Sequence, residues 1–107
     1  MSRLVEDHIH ILKWLSEAKP AAIRSIIKSA DKDLLDALCE CGLNVLKGRV
    51  PLTPSQKNRL RRYKDDLRRL TRKKTLVREK KALLQKGGFL GTLLAPVLGA
   101  LGHFLFQ

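Results

Sequence analysis

The chain changes character abruptly at Gly87–Gly88, and this boundary constrains the fold more than any other feature. Beyond it lie nineteen residues, Phe89 to Gln107, without one Lys, Arg, Asp or Glu. Before it, residues 51–88 hold fourteen Lys and Arg against three Asp and Glu, a net +11, whereas residues 1–50 hold eight against seven. Nearly all of the chain's +12 therefore sits in its middle third. A strongly basic segment is joined by a diglycine to one that avoids charge altogether, an arrangement an ordinary enzyme does not need.

With 107 residues the chain is expected to form one domain plus tails. The basic middle and the uncharged tail are expected to add little to the core, which falls to residues 1–50. Aromatic content is only 5%, so that core must be aliphatic. A pI near 10.3 calls for an anionic partner, nucleic acid first and an acidic membrane surface second. Cys39 and Cys41, the only cysteines, project in different directions from a helix, so no disulfide is expected between them. They read as reduced, buried, small apolar groups, which suits an intracellular or virion-interior setting. Glu6, Asp7 and His8 interrupt the place of a signal-peptide apolar run, and no signal peptide is expected.

Helical periodicity runs throughout and strand-like alternation is absent, which predicts an all-α fold. Leu4, Val5, His8, Ile11, Leu12 and Leu15 predict a first helix from about Ser2 to Lys19, with Pro20 either stopping it or starting the next, since Pro fits a first helical turn. Ile23, Ile26, Ile27 and Ala30 share a face of a short second one. Asp31 is the natural N-cap of a third, with Leu34, Leu38, Cys41 and Val45 joined by Leu35 and Leu46, and Gly48 as its stop. The fourth has the clearest start: Thr53 as N-cap, Pro54 in the first turn and Gln56 completing a capping box. Leu60, Tyr63, Leu67 and Leu70 then form a narrow apolar seam along one long basic helix. Asp65 lies at helical spacing from Arg61, Arg62, Arg68 and Arg69, which limits self-repulsion. A further helical stretch runs from Leu76 to Lys86.

The tail, FLGTLLAPVLGALGHFLFQ, has eighteen uncharged residues from Phe89 to Phe106, the lower edge of a membrane-spanning helix of about twenty. Pro96 should kink it. Gly91, Ala95 and Gly99 recur every fourth residue, a small-residue face suited to close helix packing in lipid. His103 takes the next position of that face and reads as a tolerated polar residue. Membrane interaction is the expected role of this segment. The alternative is one compact α-bundle built around the tail as its central helix.

The basic helix carries the expected chemistry. Lys57, Arg59, Arg61, Arg62, Lys64, Arg68, Arg69, Arg72, Lys73 and Lys74, followed by Arg78, Lys80 and Lys81, suit the phosphate backbone of double-stranded DNA, which offers dense charge and no sequence information. Tyr63 belongs to the apolar seam, so base stacking is not indicated. No helix-turn-helix, zinc-finger or RNA-recognition pattern is present, and non-specific duplex binding is the expectation. Catalysis is not expected. His8 and His10 face apart, Cys39-x-Cys41 lacks structural-zinc spacing, and no nucleophile stands beside a base. Neither metal nor cofactor is predicted. The diglycine reads as a flexible linker, and its freedom also suits the extended backbone a protease cleft requires.

The stretch from Ala18 to Lys73, with LLDALCECGLNVLKGRVPLTPSQKNRLRRYKDDLRRL at its heart, together with QKGGFLGTLLAPVLGAL, resembles the small basic protein of Polinton (Maverick) elements and adintoviruses. That family is regarded as similar to the precursor of the adenovirus core protein X (mu), which binds viral DNA and is matured by the viral cysteine protease. The resemblance implies a virion core or minor structural protein. It implies cleavage between Gly88 and Phe89, with Gln85 in the recognition position and Gly87 and Gly88 as the two glycines. Viral protease, capsid proteins and further copies of the chain become expected partners, and virion and host nucleus the expected locations, with the precursor associated with membrane. One departure is plain: the adenovirus protein is extremely Arg-rich and largely unstructured, whereas residues 1–50 here are nearly neutral and helical.

Three stretches follow from this reading: 1–50 as helical core, 51–88 as basic helical segment and 89–107 as apolar segment. The competing function is a membrane-active, oligomerising protein whose tail inserts while its basic segment contacts anionic lipid.

Overall fold

The computed structural model describes residues 2–105, and the side chains of residues 2–102. Among the described residues every regular element is helical. In chain order they are α1 (Arg3–Asp7), α2 (Ile9–Glu17), α3 (Pro20–Lys28), α4 (Lys32–Leu46), α5 (Pro54–Arg61), α6 (Lys64–Thr71), α7 (Val77–Leu84) and α8 (Phe89–Leu105). The side chain of His103 lies outside the described residues.

Local chemistry sets most boundaries where the sequence places them. Asp31 Oδ1 accepts the Leu34 N–H at 2.9 Å and starts α4. Gly48, at φ +70°, ends it. The Gly48 N–H donates to the Val45 carbonyl and the Arg49 N–H to that of Asn44, the paired bonds of a Schellman motif. At α5 the capping box is complete: Thr53 Oγ1 accepts from the Gln56 N–H at 3.1 Å, and Gln56 Oε1 from the Thr53 N–H at 3.0 Å.

Two expected helices are each broken in two. The first bends at His8 (φ −102°, ψ 11°) and the basic helix at Tyr63 (φ −106°, ψ 12°), both in the bridge region of backbone space. Neither break carries Pro or Gly. Each separates halves that serve different partners: α1 lies on α4 while α2 lies on α8, and α5 lies on α8 while α6 lies on α4. A straight helix cannot bury its seam against two differently directed neighbours, so the long basic helix is replaced by α5 and α6, with α7 following.

The tail corrects a further expectation. Phe89, Leu90, Leu93, Leu94, Val97 and Leu101 are all buried, and α8 touches α2, α4, α5 and α7. One hydrophobic cluster joins Val5, Leu12, Leu15 and Ile27 to Leu38, Cys41, Leu60, Leu67, Leu70, Leu84 and these α8 side chains. The stretches 1–50, 51–88 and 89–107 thus share a single core. The physical reason is simple: an uncharged helix needs apolar surroundings, and the seams of α2, α4 and α5 supply them. Helix α8 runs through Pro96 as one element. No single described helix is long and apolar enough to cross a membrane; α7 and α8 meet that measure only together, bent by 84°.

Candidate nucleic-acid interface

The basic residues stand outside because the seam is narrow. Leu60, Leu67 and Leu70 are buried and Tyr63 half-buried, which uses one stripe of α5 and α6 and leaves the remaining surface to cations. Close approach at one end is set by Gly42 of α4, where an added Cβ would lie 3.3 Å from Thr71 Cγ2 and 3.4 Å from Leu70 Cδ2. The Cys39 thiol meets the Leu70 carbonyl at 3.5 Å across the same contact.

Eleven of the thirteen predicted contact residues are exposed: Lys57, Arg59, Arg61, Arg62, Lys64, Arg68, Arg69, Arg72, Lys73, Lys74 and Arg78. The cations of α5 divide across its seam. Lys57, Arg61 and Lys64 border a groove with Leu46 and Leu52, whereas Arg59 and Arg62 flank a recess with Asn58, Tyr63 and Thr92. Two of the eleven are in ion pairs, Arg68 with Asp65 at 3.9 Å and Arg69 with Glu79 at 3.7 Å. Of the four acid–base pairings expected for Asp65, only that with Arg68 forms.

Lys80 and Lys81 are turned toward the body of the protein. Lys81 Nζ donates to the Lys28 carbonyl at 2.8 Å, placing a positive charge at the carbonyl end of α3, where the helix dipole favours it. Lys80 lies close enough to the Cys39 thiol to favour its ionised form, although burial is the larger influence and raises that pKa. Lys86, at the α7–α8 turn, binds both oxygens of half-buried Asp66 at 2.9 and 3.0 Å. Lys81 and Lys86 thus link α7 and the turn after it to α3 and α6.

Tyr63 faces inward. Its hydroxyl donates to the Gly87 carbonyl at 3.0 Å, and its ring lies 5.2 Å from that of Phe89 at 52°. Its hydroxyl and its ring contact with Phe89 tie it to the α7–α8 turn.

That turn is also where cleavage was expected. Gly88 adopts φ +80°, and a Cβ there would meet Tyr63 Oη at 3.1 Å. Phe89 is fully buried. The Gly88–Phe89 bond therefore sits in a closed turn, away from the extended form that a protease cleft takes. Of the small-residue face of α8, Gly91 lies against α2, 3.6 Å from the Ser16 carbonyl by its added Cβ, while Ala95 and Gly99 are on the surface.

Sequence reasoning missed two residues. Leu76 and Val77 are 51% and 59% exposed, in the midst of the cations. Their spacing from Leu83 and Leu84 places them on the buried stripe. However, Leu76 is the N-cap of α7, with extended backbone (φ −66°, ψ 150°), and so falls outside the helical register. Among the described residues, no three His, Cys, Asp or Glu converge as metal ligands. No protein-family model, curated protein or solved structure matches the chain.

Proposed function

We propose that this chain is a non-specific duplex-DNA-binding protein of a virion core, or a minor structural protein of the particle, as its resemblance to the Polinton and adintovirus family implies. One observation carries the DNA reading. Lys57, Arg59, Arg61, Arg62, Lys64, Arg72, Lys73, Lys74 and Arg78 are exposed and outside every described ion pair, spread along α5, α6 and α7 and the turns between them, on both sides of the α5 seam. Such a surface neutralises phosphates and releases counterions. The inward commitment of Tyr63 supports backbone contact over base readout. The virion and the host nucleus are the locations this reading entails.

Insertion of the tail into a membrane is the less favoured reading, because the apolar face of α8 already lies in the core. Processing after Gly88 belongs to the proposal in a restricted form. It acts on chain that is not yet folded or has opened locally, since the closed turn hides Phe89.

The test is a salt titration of full-length protein on two duplexes of unrelated sequence. Equal affinities are expected, with a log–log slope no steeper than about −8, the limit of about −0.9 for each of nine cations. Lys57→Gln/Arg61→Gln/Lys64→Gln should flatten the slope by up to about 3. A slope near zero, or strong preference for one duplex, defeats the proposal.

A further inference from the structure

We infer that the α6–α7 turn is a docking surface for an anionic lipid bilayer, with Leu76 and Val77 entering the headgroup–acyl boundary and Arg72, Lys73, Lys74 and Arg78 meeting the headgroups around them. The inference is independent of the DNA reading. It begins from an anomaly: the chain gathers its large apolar side chains into one core, yet leaves two adjacent ones more than half exposed within its most basic stretch. Scattered exposed apolar residues are ordinary; an adjacent pair flanked within four residues of chain by four exposed cations outside every described ion pair is a patterned surface.

The turn is held in shape. The Thr75 N–H donates to the Arg72 carbonyl at 3.2 Å, and the Thr75 hydroxyl donates to the Arg69 carbonyl. The Arg69–Glu79 ion pair joins α6 to α7 across it, and the Lys80 N–H closes the first turn of α7 on the Leu76 carbonyl at 3.0 Å. The backbone that presents Leu76 and Val77 is therefore tied to α6 and α7.

Charge complementarity selects an anionic partner, and the apolar tips select among anionic partners. A phosphodiester backbone offers Leu and Val no apolar receptacle, whereas a bilayer interface receives apolar side chains and attracts the surrounding Lys and Arg. This contact needs no rearrangement of the core, in contrast to insertion of α8.

The experiment compares full-length wild-type protein with Leu76→Ser/Val77→Ser for co-sedimentation with phosphatidylcholine vesicles containing about a third phosphatidylserine. Serine is a favoured N-cap, so the change at position 76 should not weaken α7. Wild-type protein should bind these vesicles and not pure phosphatidylcholine. The double variant should partition about ten-fold or more weakly and keep its duplex-DNA affinity. Equal vesicle binding by both proteins, no vesicle binding by wild type, or loss of DNA affinity in place of vesicle binding would each overturn the inference. Should the double variant fail to fold, Trp14→Phe/Leu76→Trp decides it. Its emission should shift to the blue only with anionic vesicles, and no shift means that the turn stays in water.

Discussion

Single residues hold the α7–α8 turn and the α4 core, and each makes a separable prediction. Gly87 and Gly88 are adjacent but not equivalent. Gly88 has φ +80° and would press a Cβ against Tyr63 Oη, whereas Gly87 has open space around its missing Cβ. Gly88→Ala should cost about 1–2 kcal/mol or more, and Gly87→Ala less than about 0.5 kcal/mol. Thermal unfolding of the two variants checks this; equal losses would mean that the turn is not closed in solution. Cys41 answers to pH. Burial, with the nearby Glu40 carboxylate and Cys39 adding to it, pushes its thiol up to about 12. In the unfolded chain a thiol ionises near the ordinary value of about 8.5. Below that pH both states hold the proton and the contribution of Cys41 to stability is complete. Between the two values the unfolded state releases a proton that the folded state keeps, so stability falls as pH rises, by up to about 1.4 kcal/mol per pH unit. Urea unfolding between pH 8 and 11 should show this decline in wild type, with a shallower one in Cys41→Ala. Identical slopes would mean that the Cys41 thiol is not shielded.

At the level of helices, what the sequence made legible and what it hid divide along one line. Features governed by neighbours in sequence were readable: the Asp31 cap, the Thr53–Gln56 capping box, the Gly48 stop, and the seam of Leu60, Tyr63, Leu67 and Leu70 with cations beside it. Features governed by distant partners were not. Nothing local marks His8 or Tyr63 as a break, because each bend follows from the different helices on which its two halves dock. The inward turn of Lys80 and Lys81 depends in the same way on α3 and α4. The tail was ambiguous for a deeper reason. A membrane helix and the central helix of a bundle both lack charge, and composition cannot say whether lipid or protein surrounds them. The core position of α8 gives a sharp prediction for the chain ending at Gly88. Six buried side chains of α8 contribute on the order of 1.5–3 kcal/mol each, a total comparable with or above the roughly 5–15 kcal/mol by which whole domains are stable. Residues 1–88 alone should therefore show no cooperative thermal transition by circular dichroism, and Leu94→Ala in the full chain should cost about 2–5 kcal/mol. A cooperatively folded 1–88 fragment would remove α8 from the core. If the fragment is unfolded, the proposed processing after Gly88 would leave a basic chain that cannot close this core.

Across the whole molecule the dominant fact is charge. Twenty-two Lys and Arg against ten Asp and Glu are carried on a body measuring 36 × 27 × 26 Å. The described ion pairs, Lys32–Asp36, Arg68–Asp65, Arg69–Glu79 and Lys86–Asp66, include mostly exposed partners, and such pairs contribute little. Self-repulsion is therefore the larger electrostatic effect, a cost that binding of the proposed polyanion would relieve. Salt distinguishes repulsion from attraction. At 0.01 M ionic strength the Debye length is about 30 Å, so most charges on the molecule feel one another, whereas at 0.15 M it is about 8 Å and only near neighbours interact. Raising NaCl between these limits should raise Tm, because screening relieves the many like-charge pairs and weakens only a few ion pairs. A short DNA duplex should raise Tm further at low salt, since a ligand of the folded state stabilises it by mass action, and this added gain should shrink as NaCl rises and binding weakens. The two curves should converge. Scanning calorimetry from 0.01 to 0.3 M NaCl, with and without the duplex, reads both effects at once. A Tm that falls with salt in the free protein would place the net electrostatic balance in the ion pairs, and a gain from DNA that persists unchanged at high salt would mean that contacts other than phosphate neutralisation hold the complex.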